Sequence, residues 1–208
     1  MATGLRERKK QQTRELLAET ARRLFSERGF ERVSVAEIAR AADVSEKTVF
    51  NYFPTKEDLV YWRLESFEED LLGTLRERPA GESLLDAFGR FVARPRGMLA
   101  TYDDATRERL AALSRMIASS PALLAREQQI FAGYTDSLAA LIAEDTGNGG
   151  IEPWVVANAL MGVHRSLVDF ARRRIVAGES EGLADAVRAE ADRAVGRLRD
   201  GLAGYGAV

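Results

Sequence analysis

The sequence predicts an all-α protein of about nine helices, and three observations carry that reading. Apolar residues recur at helical spacing along most of the 208 residues. No stretch alternates apolar and polar residues convincingly, and β-branched runs are short. Helix punctuation is frequent, with Ser or Thr capping patterns opening segments and glycine or proline closing them.

The first helix spans roughly 6–28, with Leu17, Ala21, Leu24 and Phe25 on one face and Gly29 as its stop. Ser34-Val-Ala-Glu37 has the form of a capping box. It opens a short helix whose apolar members are Val35, Ile38, Ala39 and Ala42. Asp43-Val44 then makes a turn, and Ser45 suits the N-cap of a stub over Glu46–Tyr52. Thr55-Lys-Glu-Asp58 caps a longer helix, about 55–78, which ends at Pro79-Ala-Gly81. Later breaks fall near Pro95-Arg-Gly97, Ser120-Pro121, the loop 146–150, Glu152-Pro153 and Gly178. Pro121 and Pro153 stand where a first helical turn accepts proline.

Two helices close the chain. The one over about 153–176 has two apolar stripes: Trp154, Ala157, Met161, His164, Val168, Ala171 and Ile175, and Val156, Leu160, Val163, Leu167 and Phe170. A helix apolar on two sides must bury both. One solution packs the second stripe on a partner chain, and a monomeric core is the other. The last helix, about 181–203, repeats Leu183, Val187, Ala194, Leu198 and Leu202.

Composition excludes several function classes. With no cysteine there is no disulfide framework and no thiolate chemistry, which suits a reducing cytoplasm. His164 is the single histidine, so Cys–His catalysis and a His-held catalytic zinc are both excluded. Gly147, Gly149 and Gly150 lack the Lys-Ser/Thr of a phosphate loop. Asp103-Asp104 and Glu68-Glu69 read as solvated helix faces and caps. No catalytic residue, metal site or cofactor is expected, and the chain is not read as an enzyme. No apolar run approaches the ~18 residues of a membrane span, and the basic N-terminus lacks the apolar region of a secretory signal. A soluble cytoplasmic protein is the expectation.

The net charge of −2 hides an asymmetry. Residues 1–56 hold 12 basic against 8 acidic side chains, and all four lysines (Lys9, Lys10, Lys47, Lys56) lie there. A chain with one polyanion-binding end would show this, and so would ordinary scatter.

The stub is more telling. At about 100° per residue, Lys47, Thr48, Asn51 and Tyr52 share one side, and Val49 and Phe53 lie opposite. A helix so short is marginal without tertiary support. Two short helices with a tight turn, the second presenting hydrogen-bonding groups, describe a helix-turn-helix whose second member suits a major groove. Ser45 with Thr48, and Thr55 with Lys56, stand at helix N-termini where phosphates are favoured. Arg6, Arg8, Lys9 and Lys10 could add contacts that carry no sequence information. Two short core helices with a solvated polar face remain the other reading of these residues.

Over about residues 11–59 the chain resembles the tetracycline-repressor (TetR) family of bacterial regulators. The resemblance rests on Ala21, Leu24-Phe25, Gly29-Phe30, Ser34-Val35, Ile38-Ala39, Ala42, Val44-Ser45, Thr48-Val49, Tyr52-Phe53, Lys56 and Leu59, in that order. It implies a three-helix DNA-binding head at 1–55, joined to a larger helical effector-binding and dimerisation domain at 56–208. It also implies a homodimer that reads a palindromic double-stranded DNA operator, released in most members when a small molecule enters the body. Carried over by position, the implied DNA contacts are Ser34, Ser45, Lys47, Thr48, Asn51, Tyr52 and Lys56. Two residues depart from the pattern. Asp43 replaces the usual glycine of the turn, which Asp tolerates better than most residues. Phe50 replaces a common tyrosine, so the phosphate contact of that hydroxyl is absent.

The resemblance places dimerisation on the last two helices, with Met161, His164, Val168, Ile175, Leu183, Val187 and Leu198 as candidate interface residues. Tyr102, Met116, Phe131, Tyr134, Asn158, Met161 and His164 are candidate effector contacts. His164, alone on an apolar stripe, reads either as a buried or interfacial structural residue or as a ligand contact. Family habit favours repression over activation and an apolar or amphipathic effector. The rival to a ligand-responsive DNA-binding regulator is a helical dimeric adaptor that binds no DNA. Charge reversal at Lys47 and Lys56 separates the two.

Overall fold

The computed structural model describes residues 2–62, 65–95 and 104–201. Ten helices stand in it: α1 Ala2–Arg28, α2 Val35–Ala41, α3 Glu46–Tyr52, α4 Asp58–Tyr61, α5 Glu65–Arg76, α6 Leu84–Val92, α7 Asp104–Ser119, α8 Pro121–Thr146, α9 Glu152–Val176 and α10 Leu183–Asp200. Among the described residues there is no strand. The tenth helix comes from the segment read as one helix over 55–78, which is described as α4 and α5, with Trp62 in a 3₁₀ turn between them. No proline or glycine lies from 59 to 66, so the sequence carries no signal for that division.

The chain divides into two compact units, one of residues 1–65 with 115–127 and one of 66–114 with 128–208. In the first, α1 packs against α2 and α4, and α2 against α3. Leu17, Ala21, Phe25, Ile38, Val49 and Phe53 fill its core at 0–3 % exposure. The segment 115–127 joins this unit through pairs far apart in sequence. Ser120 donates to Glu31 at 2.6 Å, the Tyr61 hydroxyl to the Leu123 carbonyl at 2.9 Å, and Arg126 Nε to Asp58 at 2.7 Å. Burying Tyr61 and Ser120 is tolerable because each buried hydroxyl is hydrogen-bonded.

In the second unit α10 packs on α9 and α6, and α6 on α9. Phe88, Phe91, Leu138, Leu160 and Met161 lie at the centre of the core. Gly89 permits the α6–α10 approach, since a Cβ there would meet Val195 Cγ1 at 3.0 Å. Arg78 ties the chain between α5 and α6 down, donating to the Leu75 and Glu82 carbonyls and to Asp145 at 2.6 Å. Asp86, which Arg199 of α10 pairs with, also accepts the Ser83 hydroxyl at 2.6 Å. Its carboxyl is held below the usual range, first by that hydroxyl and then by Arg199.

Candidate nucleic-acid interface

The candidate interface begins with the helix-turn-helix, and its local geometry follows from the caps. Ser34 accepts the Glu37 amide at 3.2 Å while its own amide donates to the Glu37 carboxylate at 2.9 Å, a complete capping box. The Glu37 carboxyl is lowered, first by the Ser34 amide, then by the Ser34 hydroxyl, with smaller help from Arg28 and Arg40. The turn closes with Asp43 at φ 54, left-handed geometry that Asp accepts with little penalty. Ser45 then caps α3, its hydroxyl accepting the Thr48 amide at 3.1 Å and meeting the Thr48 hydroxyl at 2.8 Å.

These caps set the rotation of α3. Val49 and Phe53 face the core at 1 % exposure, and Arg14 of α1 places its guanidinium 5.3 Å over the Phe53 ring. Lys47 and Asn51 are exposed, and Thr48 and Tyr52 are partly exposed. Phe50 is 47 % exposed, so an apolar ring stands on the surface beside the polar side chains. Ser34 and Ser45 are exposed with hydroxyls already engaged in the caps.

Lys56 follows α3 and lies at the start of the next helix. Its ammonium sits 4.1 Å over the Phe30 ring and 5.9 Å over Phe25, which restrains the side chain without neutralising it. On either side, Thr55 and Asp58 exchange hydrogen bonds: the Thr55 amide and hydroxyl donate to Asp58 Oδ2 at 2.9 and 2.8 Å. Sequence reasoning singled out neither Arg14 nor the pair Asp58–Arg126. Asp58 was read only as part of the Thr-x-x-Asp cap, and Arg126 carried no local signal.

The candidate effector residues divide. Phe131, Tyr134 and His164 come together around Phe67, with Phe67–His164 stacked at 4.2 Å and Phe131–His164 edge-on at 5.4 Å. Met161 is 0 % exposed in the same core. Asn158 does not join them. Asn158 is exposed and gives its amide to the Trp154 carbonyl of its own helix at 2.8 Å, so it does not line the interior. Met116 belongs to the first unit. Tyr102, like Met98 and Leu202, lies outside the described residues.

The candidate interface residues lie on α9 and α10 at different depths. Met161, Ile175 and Leu183 are buried at 0–5 % exposure within their own chain. Val168, Val187 and Leu198 pack partly buried against the same core, and the His164 ring is occupied by Phe67 and Phe131. α10 and α6 pack on α9, while Trp154 of one apolar stripe and Val156 of the other stay exposed. The large apolar side chains that the region from Ile151 to Val176 leaves exposed are Ile151, Trp154, Val155, Val156 and Val176.

Comparison with known proteins agrees with this geometry. The family described as bacterial regulatory proteins, tetR family, matches residues 17–61. The HTH-type transcriptional regulator TcmR of Streptomyces glaucescens is 34 % identical over 149 residues, 69 % of this chain and 65 % of TcmR. The chain thus spans just under two thirds of that relative's length. The transcriptional regulator MftR of Mycobacterium tuberculosis is 28 % identical, covering 89 % of this chain and 90 % of MftR. Among solved structures, NalD of Pseudomonas aeruginosa, the secondary repressor of a multidrug efflux pump, shares the fold. It has a TM-score of 0.56 at 21 % identity, covering 88 % of this chain and 97 % of NalD. The capped seven-residue α3, with its polar side chains turned outward, lies within the stretch 17–61 that matches the tetR family of bacterial regulatory proteins.

Proposed function

We propose that the protein is a cytoplasmic repressor that binds a palindromic operator as a homodimer and is released by a small effector held in the helical body. The observation that carries this reading is the orientation of α3. Its apolar members are spent on the core, and Lys47, Thr48, Asn51 and Tyr52 face outward or lie at the margin. Asn and Lys are donors and acceptors suited to base edges. Ser34, Ser45 and Lys56 flank that face and serve phosphates, which fix register without reading sequence. In this proposal the head is residues 1–55 and the body 56–208.

Two heads reading a palindrome need a spacing of about 34–36 Å between recognition helices, or slightly more. The exposed Ile151, Trp154, Val155 and Val176 support a self-association surface along α9. NalD is a repressor by its name, and repression is the sense proposed here. Effector and DNA would oppose one another by a reciprocal coupling: whatever factor effector takes from DNA affinity, DNA takes from effector affinity. Among the described residues no helix is long and apolar enough to cross a membrane.

The test is selection of bound duplexes from a random pool, followed by anisotropy titration of the winner and a scrambled control over a salt series. Selective binding should weaken by roughly 0.9 log units per log unit of salt for each phosphate contact. Lys47→Glu should abolish selectivity, and Lys56→Glu should lower affinity for both duplexes. Equal weak binding to both duplexes, unchanged by Lys47→Glu, would sink the reading.

A further inference from the structure

Within the second unit α9 carries a partly buried guanidinium. Through one terminal nitrogen Arg165 donates to the Phe131 carbonyl at 3.3 Å and to the Thr135 hydroxyl at 3.0 Å. Both acceptors are neutral. Thr135 is 3 % exposed, and its hydroxyl donates in turn to the Phe131 carbonyl at 2.9 Å. The Nε of Arg165 is shielded from solvent and has no hydrogen-bond partner. Among the described residues no carboxylate forms an ion pair with it, and Asp169, one turn along the helix, pairs with Arg172 at 3.7 Å. A buried N–H without a partner costs stability, and an apolar side chain of equal length would fill the place without that cost. A cost that the fold does not recover is a mark of a group completed on binding.

Aromatic rings gather in the same unit. Phe131, whose carbonyl Arg165 holds, meets the His164 ring edge-on at 5.4 Å. His164 in turn stacks on Phe67 at 4.2 Å and 27°, and Phe67 on Tyr134 at 5.4 Å and 30°. Near-parallel rings are a surface that a further flat ring can join.

Resting on the reading of the protein as an effector-released regulator, we propose that the effector is a planar aromatic acid. Its ring enters between Phe67 and His164 and contacts Phe131 and Tyr134. Its carboxylate takes the unmet Nε–H of Arg165 together with a terminal N–H, the paired geometry that guanidinium offers and ammonium does not. Entry exchanges one stacking contact for two and gives the partly buried cation its counter-ion.

The experiment is calorimetric titration of the full chain with benzoate, 2-naphthoate and 2-anthracenecarboxylate, each beside its neutral carboxamide. At least one acid should bind tenfold or more tightly than its amide. Arg165→Met should bring acid and amide within twofold of each other, and Arg165→Lys should keep only part of the preference. Phe67→Leu should weaken acid and amide together and leave their ratio unchanged. Equal binding of acid and amide, a preference surviving in Arg165→Met, or no acid binding below millimolar concentration would overturn the proposal. If Arg165→Met does not fold, the wild-type ratio and the Phe67→Leu ratio still decide. The same acids are then added to the protein on its selected duplex. Release by neutral or cationic aromatics alone would overturn the acid and leave the regulator standing. Loss of selective DNA binding in untreated protein would overturn the regulator itself.

Discussion

Replacing Asp58 tests how the start of α4 is held. Its carboxylate accepts three donors: the Thr55 amide and hydroxyl at one oxygen, and Arg126 Nε at the other, 2.7 Å away. The side chains of Asp58 and Arg126 are 14 % and 31 % exposed, so solvent screens the pair only partly. Losing the cap interactions costs ~1 kcal/mol, and losing a charge-assisted hydrogen bond ~1.5–3 kcal/mol. Asp58→Ala should therefore destabilise by about 3 kcal/mol, and Asp58→Asn, which keeps an acceptor, by about half of that. Urea unfolding followed by circular dichroism measures both, with the m-value unchanged if the effect is on the folded state. A cycle with Arg126→Met should return a coupling of ~1–2 kcal/mol. Because Thr55 and Asp58 bracket Lys56, DNA affinity should fall further than the unfolded fraction explains. A loss below ~0.5 kcal/mol, the size of an ordinary surface change, would refute the reasoning.

Glu37 should titrate below an ordinary glutamate, and Ser34→Ala should return it toward the usual value, both read by NMR of the carboxyl carbon. Since the folded pKa is depressed, the cap's contribution is present above the unfolded pKa. It is lost as pH falls through the folded one, in the acid range below about 4.3. Asp43→Gly should be tolerated within ~0.5 kcal/mol because the turn needs φ 54, while Asp43→Val should cost ~1–2 kcal/mol by thermal unfolding. Gly89→Val should cost ~1–3 kcal/mol by overpacking, read by the same method, because its Cβ would press on Val195 at 3.0 Å.

Much of the helix-turn-helix was legible because its determinants are local. The Ser34–Glu37 box, the Ser45 cap and the left-handed Asp43 are relations among residues one to three apart, and each stands as read. The orientation of α3 was legible for a similar reason, since helical spacing alone puts Val49 and Phe53 opposite Lys47 and Asn51. The division at Trp62 was not, because no residue there opposes a helix.

For α9 the periodicity stated correctly that two sides are apolar, and burial of Met161 beside Leu160 and Val163 agrees. It could not say what covers each side, since a stripe meets α6, α10 or a second chain with equal chemistry. The effector candidates divided on the same ground: Phe131, Tyr134 and His164 meet through Phe67, which lies 64 or more residues from the first two in sequence.

By itself, then, the sequence determined the helical class, the caps, the turn and the polar face of the recognition helix, because propensity, capping and periodicity act over a few residues. Tertiary structure alone decided that Arg126 meets Asp58, that Ser120 meets Glu31, and that Arg165 stands against neutral acceptors beside a ring of aromatics. Those pairings join residues 30 to 89 positions apart, and only the packing of whole helices selects which distant side chains share one place.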